Sequence, residues 1–277
     1  METKRRSRWD NKKSDAPFRW EESDLDICKL FAPNVPAHNP WGYTYLPSSF
    51  VPVLLDRGAY AKKRLRPLCD HRFLRKPEQP RNNYRNIIYA LESKGADKLK
   101  EIDFQAQVRQ RRLAHELQSC MIAASFEIGA RKHNHSIKIK DAITDEVRPD
   151  WHIFTVGKSA PIYIEADTDS EDLTSSNPQA NTIEGKFEAY LSLIKQGVLG
   201  KSLILFFTVL PSRRDSMVAL LKDVMDTHHL PYKYADHFGF MAIPFDRYLN
   251  KLPDPTPWAL THDYKRAGEP LNFRDEV

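Results

Sequence analysis

The feature of the sequence that most limits the fold is a pair of apolar runs within residues 147–172, "VRPDWHIFTVGKSAPIYIEADTDSED". Each run has the length and composition of a β-strand, and the turn-like "GKSAP" between them predicts a hairpin. Asp150 stands at the start of the first run, and Glu165 and Asp167 stand at the end of the second. Acids in an otherwise apolar hairpin indicate either strand ends that reach water or the rim of a metal site.

Strand geometry favours the metal site. Residues two apart in a strand point to the same side, so Glu165 and Asp167 share a face. If strands 149–156 and 161–167 pair antiparallel, Asp150 is expected opposite roughly Asp167. Three neighbouring carboxylates repel unless a cation lies among them, and such a cluster suits Mg²⁺ or Mn²⁺. Lys186, with Tyr190 one turn further on, lies in the next predicted helix and could stabilise charge at a phosphate.

The segments around the hairpin predict the rest of this half of the chain. Apolar residues recur at helical spacing in 103–132, 181–197 and about 213–228, and strand-like runs occur at 136–142, 202–210 and about 238–244. The resulting order, α-β-β-β-α-β-α-β, predicts an α/β (α+β) fold in which helices flank a mixed sheet.

The first half of the chain has a different pattern. Within residues 48–102 we expect a helix, a turn at Gly58, a second helix over about 60–70, a hairpin and a third helix from about Ser93. Residues 57–76 contain eight Lys and Arg against one acid. This order is typical of a winged helix-turn-helix, in which a basic helix enters the major groove and the wing lies against phosphates. The candidate DNA-binding residues are Lys62, Lys63, Arg64, Arg66, Arg72, Arg75 and Lys76. The alternatives are a basic helix exposed to solvent and a winged helix that binds protein.

Composition limits the compartment and the domain boundaries. The 277 residues contain no apolar run long enough to cross a membrane, and the net charge is only +5. Three cysteines without a CxxC pair favour a reducing compartment, so we expect a cytoplasmic protein. The predicted divisions are a basic disordered arm (1–22), a winged-helix domain (23–102), a domain with the mixed sheet (103–250) and a C-terminal tail (251–277).

The motifs "RPDW", "IYIEAD" and "IEGKFEAYL" resemble the PD-(D/E)XK nuclease core. More narrowly, residues 45–245 resemble plasmid replication-relaxation proteins and MobC-type relaxases, which join a winged helix to such a core; "IYALESKGADKL" and "HEL" belong to the same likeness. The resemblance implies that Asp150, Glu165 and Asp167 bind the metal and that Glu116 adds an acid from the first helix. It also implies that Lys186 is a displaced catalytic lysine, since Asp167 stands where the motif normally has lysine.

The function expected from this resemblance is a metal-dependent endonuclease or nickase that acts on plasmid or mobile-element DNA. The expected partners are double-stranded DNA and, as an option, other proteins of the relaxosome or of a mobile element. We expect no binding to a membrane, and a homodimer is one possible state. The alternative is a DNA-binding regulator of replication, mobilisation or transcription whose nuclease fold is degenerate and serves as a scaffold. A winged-helix adaptor that binds protein is the third reading.

Overall fold

The computed structural model describes residues 17–32, 43–77, 87–99, 113–132, 137–140, 147–155, 161–168, 171–177, 181–242 and 264–266. The chain forms two compact units, and the division between them falls inside one helix, after Ala124. The predicted boundary near residue 102 lies outside the described residues. No described helix is both long and apolar enough to cross a membrane.

The first unit contains short helices around a small sheet. Its helices are α1 (Glu22–Leu30), α2 (Phe50–Leu54), α3 (Gly58–Asp70), α4 (Ser93–Leu99) and the first part of α5 (Leu113–Lys132). Its strands are β1 (Leu46–Pro47), β2 (Leu74–Arg75) and β3 (Ile88–Leu91). The strand β3 lies between the other two and is antiparallel to both.

The predicted helix, turn, helix and hairpin of the first unit are confirmed. Gly58 begins α3 with a φ of +52°, in the left-handed region that glycine tolerates without steric cost. On α3 the apolar residues Ala61, Leu65 and Leu68 are buried, as the helical spacing predicts. The strands β2 and β3 form the predicted hairpin, although its tip at 78–86 lies outside the described residues.

The second unit contains a six-stranded mixed sheet. Its strands are β4 (Ile137–Lys140), β5 (Trp151–Thr155), β6 (Ile162–Asp167), β7 (Leu203–Thr208), β8 (Phe238–Ala242) and β9 (Tyr264–Arg266), in that spatial order. The strands β6, β7 and β8 run parallel, and the other neighbours are antiparallel. The helices α6 (Ile183–Lys195) and α7 (Pro211–Thr227) and a 3-10 helix (Tyr232–His237) complete the unit with the end of α5.

Apolar packing fixes α6 and α7 to one face of this sheet. Phe187 of α6 is fully buried and contacts Phe206 edge to face, with ring centroids 5.0 Å apart. Met217 and Leu221 of α7 belong to the same buried cluster. Phe207 points to the opposite face of the sheet, where the centroid of its ring lies 6.3 Å from that of Phe126 on α5. The predicted mixed sheet with helices on its faces is therefore confirmed.

The register of the hairpin differs from the expectation. Trp151 pairs with Ile164, and this register continues to place Asp150 opposite Glu165 instead of Asp167. The expected pairing was therefore wrong by two residues. Because side chains alternate with a period of two, a shift of two leaves every residue on the predicted face. Two strands, β1 and β9, were not predicted at all.

Candidate functional site

The candidate site lies on the face of β6 that meets α6. Glu165 and Asp167 alternate with Ile164 and Ala166 along the strand, so the two acids share a face, as predicted. Both acids are buried in the described structure, with relative exposures of 4% and 2%. They therefore do not behave as strand ends that reach water, and each requires compensating partners.

Lys186 and Tyr190 supply the partners of Glu165. The Lys186 ammonium lies 3.0 Å from Glu165 Oε2, and the Tyr190 hydroxyl donates a hydrogen bond of 2.6 Å to Glu165 Oε1. Lys186 and Tyr190 are four residues apart on α6, so both project from the same side of the helix. Thr182 caps the start of this helix, since its side chain accepts a hydrogen bond from the Gly185 N–H.

Asp150 reaches the same place from the neighbouring strand. Its Oδ2 accepts a hydrogen bond of 2.7 Å from the Ala166 N–H, so its carboxylate lies against the backbone between Glu165 and Asp167. Its charge contributes to the pKa shifts of Glu165, Lys186 and Tyr190. The hairpin therefore brings the first two predicted carboxylates together.

Burial and neighbouring charges shift the pKa values of Glu165, Lys186 and Tyr190. Burial raises the pKa of Glu165 to about 7, and the charge of Asp150 adds to the rise while Lys186 opposes it. Burial alone would lower the pKa of Lys186, but the carboxylates of Glu165 and Glu171 outweigh it and raise that pKa. Burial followed by the charge of Glu165 also raises the pKa of Tyr190. Lys186 thus stays protonated, and Glu165 titrates near neutrality.

Asp167 has a separate set of partners. Arg213, in the first turn of α7, donates from Nε to Asp167 Oδ2 at 3.0 Å, and the Thr208 hydroxyl lies 3.2 Å from the same oxygen. The Arg213 guanidinium also donates to the backbone carbonyl of Glu171. The three predicted acids therefore do not share one partner. Lys186 compensates the buried Glu165, and Arg213 compensates the buried Asp167.

Glu171 is a residue of the site that the sequence did not reveal. Its carboxylate lies 2.8 Å from the Lys186 ammonium, which therefore sits between two acids. Through its backbone carbonyl and Arg213, the same residue is connected to Asp167. Nothing about "DTDSED" singles out one acid, so only the fold identifies Glu171.

The donor set fits a divalent cation in part. Asp150 and Glu165 are adjacent carboxylates, and carboxylate oxygens are ligands that Mg²⁺ and Mn²⁺ prefer. Asp167 fits poorly because the positive charge of Arg213 already compensates it. Among the described residues, no group of three or more His, Cys, Asp or Glu side chains is arranged to hold a metal ion.

The basic residues of the first unit fall into two groups. Lys62, Lys63, Arg66 and Arg72 are exposed, and the first two make no ion pair with any described residue. Arg64, in contrast, binds the fully buried Asp24 with two hydrogen bonds of 2.8 and 2.7 Å. The exposed lysines therefore form a basic surface on the side of α3 opposite its buried face.

The other predicted residues of the first unit are less exposed. Lys76 is buried and Arg75 is half-buried. Burial raises the pKa of Tyr45, Arg75 opposes that rise, and the charge of Glu116 on α5 adds to it. The structure thus places Glu116 near Tyr45, in the first unit, whereas the hairpin acids belong to the second. Its role as a metal ligand stays a prediction.

Comparison with known proteins gives the family. A search of curated proteins and a search of solved structures each returned no match. A family model described as replication-relaxation matches residues 50–203. The matched segment runs from α2 to the start of β7, so it includes α3, the hairpin of the first unit, Asp150, Glu165 and Lys186, whereas Thr208 and Arg213 lie beyond it. The match covers more than half of the sequence, and the chain belongs to the replication-relaxation family.

Proposed function

We propose that this protein binds double-stranded DNA through its first unit, in plasmid replication or mobilisation. Membership of the replication-relaxation family suggests this biological role. The observation that carries the proposal is the surface of α3 on which Lys62, Lys63 and Arg66 are exposed opposite the buried apolar face. Clustered cations on one side of a helix suit the phosphates that border the major groove.

The order of elements supports a winged-helix architecture for this unit. A helix, a strand, two helices and a hairpin follow one another as α1, β1, α2, α3, β2 and β3, and the three strands form one sheet. In such an architecture α3 is the helix that enters the groove and the β2–β3 hairpin is the wing. We assign the DNA surface to Lys62, Lys63, Arg66 and Arg72, while Arg64 and Lys76 serve the fold.

The binding proposal can be tested with a charge-matched pair of variants. Replacement of Lys62 and Lys63 by Gln should weaken binding to a duplex and reduce the slope of log Kd against log salt by about 2, since each lost phosphate contact removes about 0.9. Replacement of the exposed Lys195 and Lys222 of the second unit by Gln removes the same charge and should leave both quantities unchanged. Equal effects of the two variants would refute the assignment to α3.

A second function, hydrolysis or nicking of the bound DNA, is favoured by one contact: the Lys186 ammonium lies 3.0 Å from Glu165, beside Asp150. The elements α5, β4, β5, β6, α6 and β7 follow the order predicted from the sequence. Asp150 directly precedes β5, and Glu165 lies on the antiparallel neighbour β6. We propose Asp150 and Glu165 as ligands of Mg²⁺ or Mn²⁺. We assign Asp167 to its ion pair with Arg213 instead of to the metal.

The chain's own residues have separate tasks in this reaction. A bound divalent cation would polarise a phosphoryl oxygen and lower the pKa of a bound water. Tyr190 holds Glu165 in place through its hydrogen bond, and Glu171 holds Lys186 from the other side. Lys186 keeps its proton and can compensate negative charge that develops on the phosphate.

The nuclease proposal requires an assay on supercoiled plasmid with Mg²⁺ or Mn²⁺. Wild type should convert it to open-circular or linear DNA, and Lys186→Met should abolish the conversion while retaining DNA affinity. A wild-type protein that binds the plasmid but leaves it supercoiled would favour the other reading, a regulator that uses the second unit as a scaffold. Lys195→Met, on the exposed end of the same helix, is the matched control.

A further inference from the structure

We infer that the Glu171 carboxylate occupies the place that a DNA phosphate takes beside Lys186, so that the phosphate binds there by displacing it. This inference rests on the proposed hydrolysis of DNA, in which Lys186 compensates charge on a phosphate. The observation that carries it is the position of the Lys186 ammonium between two carboxylates, 3.0 Å from Glu165 and 2.8 Å from Glu171.

The two carboxylates lie at different depths. The Glu165 side chain is 6% exposed, whereas those of Glu171 and Lys186 are 20% and 19% exposed. Glu165 belongs to β6 and accepts a hydrogen bond from the buried Tyr190, while Glu171 follows the end of that strand. A ligand from solvent therefore reaches the Lys186 ammonium on the side where Glu171 lies.

The charge of Lys186 is already compensated on both sides. An ammonium carries one positive charge, and here two carboxylates accept hydrogen bonds from it. A phosphate that approached with both acids in place would meet more negative than positive charge, and like charges repel. Glu165 is buried and has a second partner in Tyr190, so Glu171 is the acid that can leave.

A carboxylate and a DNA phosphate offer Lys186 the same chemistry. Each carries one negative charge on two oxygens that accept hydrogen bonds from an ammonium. In the structure both oxygens of Glu171 lie close to the Lys186 ammonium, Oε1 at 3.1 Å and Oε2 at 2.8 Å. The two non-bridging oxygens of a phosphodiester can make the same pair of contacts.

Release of the Glu171 carboxylate does not require the backbone to move. The Glu171 carbonyl accepts a hydrogen bond from the Arg213 guanidinium. The carbonyls of Asp172 and Leu173 accept hydrogen bonds of 3.1 and 3.0 Å from the first two N–H groups of α6. The segment is thus fastened by its backbone, and rotation about side-chain bonds alone takes the carboxylate away from Lys186.

This competition favours one class of ligand. A free phosphate must displace Glu171 with the energy of its own few contacts. A phosphate that belongs to a longer DNA molecule is held near the site by other contacts, which raises its effective concentration. Glu171 therefore makes Lys186 selective for a phosphodiester within bound DNA over free phosphate.

The test compares wild type with Glu171→Gln and with a matched control, Asp172→Asn. Glutamine keeps the size of Glu171 and an oxygen that can accept from Lys186, but it has no charge. Asp172 is the exposed neighbour, so its replacement removes the same charge from the same segment. Inorganic phosphate is titrated in the presence of Mg²⁺, and its binding is followed by the protection of Lys186 from acetylation, quantified by mass spectrometry. Circular dichroism confirms folding.

Glu171→Gln should reach half-maximal protection of Lys186 at a phosphate concentration at least about tenfold below that of wild type, because a charge in direct contact with the ammonium has been removed. Asp172→Asn should stay within about twofold of wild type, since exposed charges interact weakly. In plasmid nicking, Glu171→Gln should lower KM and leave kcat unchanged. A residue that merely positioned Lys186 would instead lower kcat when replaced.

Two results would overturn the inference. The first is an equal gain in phosphate affinity for Asp172→Asn, which would indicate a general effect of charge. The second is unchanged or weaker protection in Glu171→Gln, and nicking by wild type in that case would leave the proposed hydrolysis standing. Tighter phosphate binding by Glu171→Gln without nicking by any of the proteins would support the inference and refute the hydrolysis.

Discussion

At the scale of single residues, Arg64 shows that a basic residue on a helix proposed to bind DNA can belong to the fold. Its partner Asp24 is fully buried, and a buried carboxylate that loses its ion-pair partner strongly destabilises the folded protein. Arg64→Met should therefore lower the free energy of unfolding by about 3 kcal/mol. Urea denaturation followed by circular dichroism measures this change.

Lys63→Met is the matched control for Arg64, since the two residues are neighbours on α3 and Lys63 is exposed. We expect a change within about 0.5 kcal/mol for an exposed residue without a buried partner. Replacing Asp24 by Asn in the Arg64→Met background should recover part of the lost stability, because it removes the uncompensated charge. An Arg64→Met protein as stable as wild type would contradict the structural role.

The raised pKa of Glu165 predicts a pH dependence of stability. Its pKa is about 7 in the folded protein against an ordinary value of 4.5, so the folded state holds a proton more tightly than the unfolded chain. That contribution is fully present below pH 4.5 and is lost as the pH rises through 7. The stability of wild type relative to Glu165→Gln should therefore fall by about 1–3 kcal/mol between pH 5 and pH 8. Chemical denaturation in EDTA at several pH values measures the difference, and an increase over this range would contradict the assignment.

The residues of the candidate site differ in how far the sequence could predict them. Lys186 and Tyr190 were predictable because helical periodicity places both on one side of α6, and strand alternation places Glu165 and Asp167 on one face. Arg213 was not predictable, since it lies 46 residues from Asp167 in the sequence. The parallel pairing of β6 with β7 brings the two residues together. A physical argument could have indicated that Asp167 has a basic partner, because a buried acid requires a compensating cation.

At the scale of elements, Gly95 allows α4 to lie close to the hairpin. A Cβ at this position would overlap the backbone carbonyl of Phe73 and lie 2.8 Å from Leu91 Cδ1. Backbone cannot move as a flexible side chain can, so Gly95→Ala should destabilise the protein by about 1–3 kcal/mol. Thermal unfolding and urea denaturation measure the loss.

Gly185 on α6 provides the control for this prediction. A Cβ there would approach only Thr182 Oγ1, at an ordinary distance of 3.4 Å. Alanine favours helix over glycine by about 0.5–1 kcal/mol, so Gly185→Ala should be neutral or stabilising. If the two substitutions destabilised the protein equally, close packing at Gly95 would not be the cause.

Most elements were predictable from periodicity, and the exceptions have physical reasons. The strand β1 has two residues, one of them Pro47, and lies in a proline-rich segment without alternation. The strand β9 has three residues, fewer than an alternating pattern needs. The register of β5 and β6 depends on the geometry of the connection at 156–160, which alternation alone does not specify.

At the scale of the whole molecule, the two proposed activities belong to different units. The proposed DNA surface lies on α3 in the first unit, and the Lys186–Glu165 pair lies in the second. Lys62→Gln/Lys63→Gln should therefore raise the protein concentration needed for half-maximal plasmid nicking but leave the rate at saturation unchanged. Lys186→Met should leave the affinity for the plasmid unchanged but abolish nicking at every protein concentration. A double-lysine variant with a lower saturated rate would show that α3 takes part in more than binding.

The division into units was not predictable from the sequence. The described part of α5 is buried from Leu117 to Ala130, and it has no Gly or Pro within four residues of Ala124 to mark a boundary there. Sequence boundaries are predicted from such interruptions, whereas this helix belongs to both units.

The central claim, that DNA lies on the exposed face of α3, can be tested on the wild-type protein by lysine acetylation. The protein is treated briefly with an acetylating reagent, with and without excess duplex DNA, and each lysine is quantified by mass spectrometry. Lys62 and Lys63 should be strongly protected by DNA, whereas the exposed Lys195 and Lys222 of the second unit should react equally in both samples. Equal reactivity of Lys62 and Lys63 with and without bound DNA would contradict the account.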